Sequence, residues 1–259
     1  MKRVIASLIA ILLFILPGMN ALAAGELNMK VIVPAYFDPP SSNWTRIINQ
    51  AATMPGRMYA IANKNEGPGP AFDSAYNTAI NSMHTNSGKV IGYANTDYGN
   101  ASLASVKAII DAWYAFYPSI DGVFLDCMEI APGKEGYYQD LYNYIKAKSA
   151  SALVVANPGI TTVESYLLYN GNRVADVLCV FETNTGFDTW VPAAWTNSYD
   201  RSNFYVLPYG TTASKWQSRV DYAASHNVGW IFCTNDSGAN PWDTLPSYFE
   251  NFSTYVASK

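Results

Sequence analysis

Eight short, unbroken apolar segments recur along the chain, and this pattern constrains the fold more than any other feature. They occupy residues 31–36, 58–63, 90–95, 122–126, 153–157, 177–182, 204–209 and 228–235. Alternation of apolar and polar residues is typical of a sheet with one face in water, whereas an unbroken apolar segment indicates a strand covered on both faces. The sequence therefore predicts eight strands that are buried on both sides.

Amphipathic or mixed helical patterns separate these segments, at residues 44–52, 71–83, 103–117, 136–149, 165–169, 213–225 and 245–256. Ser102, Thr212 and Asp243 are residue types that cap helix N-termini, and we predict a helix start at each. The repeat of roughly 25 to 35 residues is that of a βαβ unit. Eight such units predict the α/β class and a single-domain (β/α)8 barrel. An open doubly wound sheet is the alternative, but residues 36–40 contain no phosphate-type glycine loop.

The first 23 residues have the pattern of a secretory signal peptide. Lys2 and Arg3 give a positive start, residues 4–16 are apolar, and residues 21–23 (ALA) form a small-x-small cleavage site. We therefore predict a mature domain over residues 24–259 that is secreted, either extracellular or periplasmic, with no membrane association after cleavage. An uncleaved anchor is the alternative, but the apolar segment is short for a bilayer span.

Composition favours a carbohydrate partner. Aromatic residues make up 14% of the chain, as many as the charged residues. Aromatic rings with polar groups suit the apolar faces and hydroxyl rims of sugars, although many rings will simply pack in the core. The formal net charge is −4 and no basic stripe is present, which argues against a nucleic-acid partner. We expect a monomer that binds polysaccharide.

The cysteines and histidines predict neither a metal centre nor a disulfide scaffold. Cys127, Cys179 and Cys233 cannot all pair and lack metal-ligand spacing, and His84 and His226 are distant from them in sequence. We expect reduced cysteines that serve in packing, surface histidines on helices, and no cofactor.

Every predicted strand ends at a polar or hydrogen-bonding side chain. These are Tyr36 with Asp38, Asn63, Asn95 with Asp97, Asp126, Asn157, Glu182, Tyr209, and Asn235 with Asp236. In barrels of this class, active sites lie at the C-terminal ends of the strands. A ring of polar side chains around one mouth predicts a cleft for a neutral, hydroxyl-rich ligand.

Two carboxylates on different strand ends, Asp126 and Glu182, are the predicted acid/base pair. Glycoside hydrolysis uses one carboxyl group to protonate the leaving oxygen and another to attack carbon or activate water. Strand alternation predicts that Asp126 and Glu182 point into the barrel and that Cys179 points outward. A helix-capping role is the alternative for Glu182. Asp97 and Glu129 are equally consistent with plain turn or surface residues.

Six motifs in order then resemble the spherulation-specific family 4 proteins. They are VPAY (33–36), NKNEGPG (63–69), GYANTDYG (92–99), IDGVFLD (120–126), NPG (157–159) and VFE (180–182). The resemblance implies a (β/α)8 glycoside hydrolase that acts on secreted polysaccharide containing α-1,4-linked galactosamine or N-acetylgalactosamine. It also implies acidic catalytic residues at the positions of Asp126 and Glu182. The residues predicted to bind substrate are Tyr36, Asp38, Asn63, Tyr93, Asn95, Asp97, Glu129, Asn157, Tyr209 and Asn235.

Two positions depart from the pattern of that family. Cys127 follows Asp126 where the family usually has glutamate, and Asn95 stands where it often has histidine. Glu129 is a candidate substitute for the missing acid. A non-catalytic carbohydrate-binding protein and an extracellular matrix or coat protein are therefore the alternatives to an enzyme. Release of reducing ends from such a polymer would separate the first alternative from a hydrolase.

Overall fold

The computed structural model describes residues 26–259, and a barrel of eight parallel strands forms its centre. These residues contain ten strands, of which all except β6 and β7 belong to the barrel: β1 (Val31–Ala35), β2 (Met58–Ala62), β3 (Lys89–Asn95), β4 (Gly122–Asp126), β5 (Leu153–Ala156), β6 (Leu168–Tyr169), β7 (Asn172–Arg173), β8 (Val177–Phe181), β9 (Phe204–Val206) and β10 (Trp230–Ile231). Their order in the barrel is β1-β2-β3-β4-β5-β8-β9-β10, and a parallel bridge between Lys30 and Trp230 joins the last strand to the first. The predicted (β/α)8 barrel is confirmed. The signal-peptide prediction concerns residues that lie outside the described part of the chain.

Within residues 26–259, six α-helices pack around the barrel. They are α1 (Ser42–Thr53), α2 (Ser74–Thr85), α3 (Leu103–Phe116), α4 (Glu135–Lys148), α5 (Trp216–Ser225) and α6 (Phe249–Ala257). The predicted cap at Ser102 is confirmed, since its side chain accepts a hydrogen bond from the Ser105 amide at 3.1 Å. The caps predicted at Thr212 and Asp243 are wrong, because α5 and α6 begin later. Pro246 lies between Asp243 and the start of α6, and proline inside a helix removes a backbone donor and clashes with the preceding turn.

The helix predicted at residues 165–169 is also wrong. A 3₁₀ turn (Glu164–Tyr166) leads there into an antiparallel hairpin of β6 and β7. Asn170 and Gly171 at its tip both have positive φ, 49° and 78°, which is the requirement of a tight hairpin turn and is met most readily by Asn-Gly. Between β8 and β9, three further 3₁₀ turns replace a helix: Phe187–Thr189, Ala194–Ser198 and Arg201–Asn203.

Strand register decides which side chains face the barrel interior. A Cβ atom on Gly92 would lie 2.5 Å from the Trp113 ring of α3, so Gly92 and its neighbour Val123 face the helices. The next residues, Tyr93 and Phe124, therefore face the interior, and their rings lie 6.2 Å apart. By the same alternation Asp126 points into the mouth of the barrel.

The prediction that Cys179 points outward is wrong. Ala156 faces the helices and pairs with Leu178, so Leu178 faces them too and Cys179 faces the interior. A bulge between Cys179 and Phe181 then inserts one extra residue, which shifts the alternation. Glu182 reaches the mouth because of this bulge.

The histidines lie away from this mouth. His84, within α2, bonds Asp121 at 2.7 Å, and Asp121 precedes β4 at the opposite end of the barrel from Asp126. His226, directly after α5, stacks on Tyr222. Cys127, Cys179 and Cys233 are all free. Across residues 26–259 no cluster of three or more metal-ligating side chains occurs. None of the helices described there is long and apolar enough to cross a membrane.

Candidate active site

Asp126, the last residue of β4, accepts a hydrogen bond at each carboxylate oxygen. The hydroxyl of Tyr93, which projects inward from β3, donates to Oδ2 at 2.7 Å. The side-chain amide of Asn157, directly after β5, donates to Oδ1 at 2.8 Å. Hydrogen bonds from neutral donors orient the carboxylate without neutralising its charge. Asp126 is therefore held in one orientation between its two neighbouring strands.

The same nitrogen of Asn157 also donates to Oε2 of Glu182 at 2.7 Å, so one amide bridges the two carboxyl groups. Asn157 is only 7% exposed, and its Oδ1 accepts the backbone N–H of Gly159 at 2.9 Å, which fixes the amide with its nitrogen toward the acids. Because the bonds measure 2.8 and 2.7 Å, the two bridged oxygens lie no more than about 5.5 Å apart. The structure thus brings Asp126, Asn157 and Glu182 together.

The two acids sit in different environments. Burial raises the pKa of Glu182 to about 7, and the charge of Asp126 adds to this rise, while hydrogen bonds from Asn157 and Trp242 oppose it. Near neutral pH a substantial fraction of Glu182 therefore carries a proton that it can donate. A carboxyl group whose pKa is raised in this way is suited to the role of general acid.

Aromatic rings surround the pair. The ring of Tyr36 meets the edge of Tyr93 at 5.6 Å between centroids, and its backbone amide donates to the Trp242 carbonyl at 3.3 Å. Tyr209 packs edge-on against Trp242 at 5.7 Å. Trp242 was not among the residues predicted from sequence, because it lies in the long loop after β10 rather than at a strand end. The sequence signal that could have indicated Trp242 is a tryptophan next to a proline, Pro241, in a long loop after the last strand.

Four of the other predicted binding residues, Asp38, Asn63, Asn95 and Asp97, take part in hydrogen bonds within their own loops or with α2. Asp38 accepts the hydroxyl of Tyr76 at 2.8 Å, and Asn63 Oδ1 accepts the Gly67 amide at 3.2 Å. Asn95, which pairs in register with Asp126, accepts the amide of Asp97 at 2.8 Å. These bonds shape the wall of the mouth. They leave parts of the side chains free for a ligand.

Glu129 and Asn235 are not brought to the acidic pair by any hydrogen bond in the described chain. Glu129 Oε1 accepts the amides of Ile130 and Ala131 at 2.8 and 3.0 Å. These two bonds lower the pKa of Glu129 below its usual value. Glu129 therefore serves as a turn carboxylate. Asn235 is exposed on the loop after β10.

The sequence comparison decides the family. The model of the spherulation-specific family 4 matches residues 30–256, which include every strand of the barrel. The protein belongs to spherulation-specific family 4. Spherulin-4 from Physarum polycephalum is 29% identical over 242 residues, which cover 90% of this chain and 72% of the relative.

Solved structures agree with the fold of this family 4 protein. Sph3 from Aspergillus clavatus, crystallised in complex with GalNAc, superposes with a TM-score of 0.75 at 21% identity and covers 89% of this chain and 98% of its own. A GH18 chitinase, ChiB from Flavobacterium johnsoniae, has a TM-score of 0.53 at 11% identity, covering 88% of this chain and 94% of its own. Both likenesses support the barrel fold of the family 4 chain.

Cys127 gives the family 4 site an unusual neighbour beside Asp126. It has a left-handed backbone, φ 49°, and its thiol interacts with the hydroxyl of Tyr98. Burial raises the pKa of this thiol to about 11, helped by the charge of Asp126. Cys127 therefore stays a neutral thiol at physiological pH and does not supply a second negative charge here.

Proposed function

We propose that the protein is a glycoside hydrolase that cleaves polysaccharide containing galactosamine or N-acetylgalactosamine within the chain. The observation that carries this proposal is the bridged pair of Asp126 and Glu182, with the pKa of Glu182 raised to about 7. Membership of spherulation-specific family 4 and the GalNAc complex of a structural relative favour this choice of sugar. Residues 1–23 favour export, which would bring the enzyme to an extracellular polymer.

In the proposed mechanism Glu182 is the general acid and Asp126 the nucleophile. Asp126 attacks the anomeric carbon while Glu182 gives its proton to the departing glycosidic oxygen, which leaves a glycosyl-enzyme ester on Asp126. Glu182, now ionised, then takes a proton from water as the water attacks the same carbon. This step releases the sugar and restores both groups to their starting states.

The short distance between the carboxyl groups favours this double displacement over a single one. Retaining glycosidases hold their carboxyl groups about 5–5.5 Å apart, whereas inverting enzymes need about 6.5–9.5 Å to admit a water molecule. The shared Asn157 amide limits the distance between the two bridged oxygens to at most about 5.5 Å, and this short limit supports the retaining course. We therefore expect the product to keep the anomeric configuration of the substrate.

The test is hydrolysis of an α-1,4-linked N-acetylgalactosamine polymer, followed by the release of reducing ends and by NMR of the first product anomer. Asp126→Asn preserves the size and most hydrogen bonds of the side chain, so the fold should persist while turnover falls at least about 10²–10⁴-fold. Glu182→Gln should cause a comparable loss. Full activity in Asp126→Asn with an unchanged melting temperature would contradict the assignment.

A carbohydrate-binding protein without turnover is the second candidate. The neutral Cys127 thiol favours it, since the family usually has a carboxylate at this position. That candidate predicts oligosaccharide binding by the wild-type protein, with no new reducing ends and no effect of Asp126→Asn on the polymer. Cys127→Glu would then be expected to introduce hydrolysis.

A further inference from the structure

A cleft of about 800 Å³ lies beside the acidic pair, on the side of β2 and β3. One wall is the loop at residues 65–70, and the other is the surface of α3 with the turn that precedes it. The lining includes Glu66, Pro68, Asn95, Asp97, Ala108 and Ile109. Its volume falls within the roughly 300–1,000 Å³ typical of ligand sites. The mechanism proposed above does not use this space.

The cleft adjoins the site of the reaction. Asn95 lines the cleft, and it is the register partner of Asp126 on the next strand. On the opposite wall, Glu66 is close enough to Tyr93 for its charge to contribute to the rise of the tyrosine pKa, after burial and the charge of Asp126. A polymer bound at Asp126 would therefore have the cleft directly beside it.

The walls of the cleft are preformed. Asn63 Oδ1 holds the Gly67 amide at 3.2 Å, and the Gly67 carbonyl accepts the Lys64 amide at 2.9 Å, which closes the loop of the first wall. The second wall begins at the Asp97 turn, whose amide is held by Asn95. Preformed walls reduce the entropy that a ligand must overcome on binding.

The lining has the chemical character of a sugar subsite. Ala101, Val106 and Ile109 give it an apolar floor, and Asn65 and Ser105 add hydrogen-bonding groups at its edge. Sugar rings present an apolar C–H face with polar hydroxyls around it, so they match such a surface on both counts.

The charges of the lining select among sugars. Glu66 and Asp97 are carboxylates, and the lining includes no lysine or arginine. The nearest cation on the first wall, Lys64, is paired with Asp73. A uronic acid would therefore bring a third negative charge into the cleft without a partner, and this is unfavourable.

We propose that this cleft is a binding subsite for the sugar units that adjoin the cleaved bond, and that it accepts neutral or amino sugars and rejects uronic acids. The identity of the polymer rests on the proposed function. The cleft binds the part of the chain that does not react, so its occupancy favours long substrates over short ones.

The experiment measures calorimetric binding of α-1,4-linked N-acetylgalactosamine oligosaccharides of two to six units, together with their hydrolysis. Ala108→Trp places a large ring in the cleft from an exposed position of α3, and Ala115→Trp makes the same change at an exposed position of that helix outside the lining. In wild type and in Ala115→Trp, affinity should rise with oligosaccharide length. In Ala108→Trp the binding of the longest oligosaccharides should weaken about tenfold or more, with the shortest ones little changed.

Galacturonic acid oligosaccharides with the same linkage test the charge rule. Wild type should not bind them measurably, and the double variant Glu66→Gln, Asp97→Asn should bind them more tightly than wild type.

Three results would each overturn the subsite. They are an affinity that does not depend on oligosaccharide length, equal binding by Ala108→Trp and wild type, and tight binding of the uronic acids by wild type. Length-dependent binding without turnover would overturn the proposed hydrolase and keep the subsite. Absence of any binding by wild type would overturn both.

Discussion

Asn157 controls the relation between the two carboxyl groups, because its single amide nitrogen donates to both. In the proposed mechanism Glu182 must be protonated, so kcat/KM should fall as the pH rises through about 7, the raised pKa of Glu182. The hydrogen bond from Asn157 stabilises the ionised form of Glu182 and lowers this pKa. Removing the bond must therefore raise the pKa further.

The first prediction concerns Asn157→Ala. Its activity should fall through loss of orientation, and the alkaline limb of its pH–rate profile should move to higher pH than in wild type. Asn95→Ala is the matched control. It removes a side-chain amide of the same type from a neighbouring strand end, but this amide bonds Asp97 and neither of the two acids. If Asn157→Ala lowers the maximal kcat/KM but leaves the alkaline limb of the pH–rate profile at the same pH as in wild type, Asn157 does not govern the protonation of Glu182.

At the scale of elements, the sequence was sufficient to predict the barrel strands and most of the helices. Unbroken apolar segments and a 3.6-residue periodicity reflect burial directly. It was insufficient where local geometry departs from an ideal repeat. Strict alternation along β8 placed Cys179 on the wrong face, since a bulge leaves no clear periodic signal. The acids at the ends of β4 and β8 were readable from position alone. Trp242 was not, because it reaches the site from a loop whose path depends on tertiary packing.

The contact between β3 and α3 provides a prediction at this scale. A Cβ atom on Gly92 would lie 2.5 Å from the ring of Trp113, which is itself fully buried and donates to the Tyr93 carbonyl at 2.8 Å. Gly92→Ala should therefore destabilise the protein by about 1–3 kcal/mol through overpacking, measured by urea unfolding. Gly136→Ala, within α4 and with no atom in reach of its new methyl group, should be neutral or stabilising by about 0.5–1 kcal/mol. If the two variants had equal free energies of unfolding, the close contact between Gly92 and the Trp113 ring would be refuted.

At the scale of the whole molecule, the barrel holds an acid at its mouth at some cost to its stability. An unfolded glutamate has a pKa near 4.5, whereas Glu182 in the folded protein has a pKa of about 7. The folded state therefore binds this proton more tightly than the unfolded state. The stability that protonated Glu182 contributes to the folded state is fully present below pH 4.5 and is lost as the pH rises through about 7. Above that pH the carboxylate is ionised and buried, which disfavours folding.

The last prediction follows from this linkage. Glu182→Gln keeps the shape of the side chain and removes its ionisation, so the variant should be more stable than wild type at pH 8. The difference should be at most about 3–4 kcal/mol, since the pKa rises from 4.5 to about 7 and each pKa unit corresponds to about 1.4 kcal/mol. It should shrink as the pH falls and reach its minimum below pH 4.5. Glu129→Gln is the control, because the pKa of Glu129 is lowered and its loss should not stabilise the protein at pH 8. Denaturant unfolding from pH 4 to 8 gives the free energy of unfolding of wild type, Glu182→Gln and Glu129→Gln. A constant difference between Glu182→Gln and wild type across this range would mean that Glu182 does not titrate with a raised pKa, and the barrel would then hold no proton at its mouth for the proposed reaction.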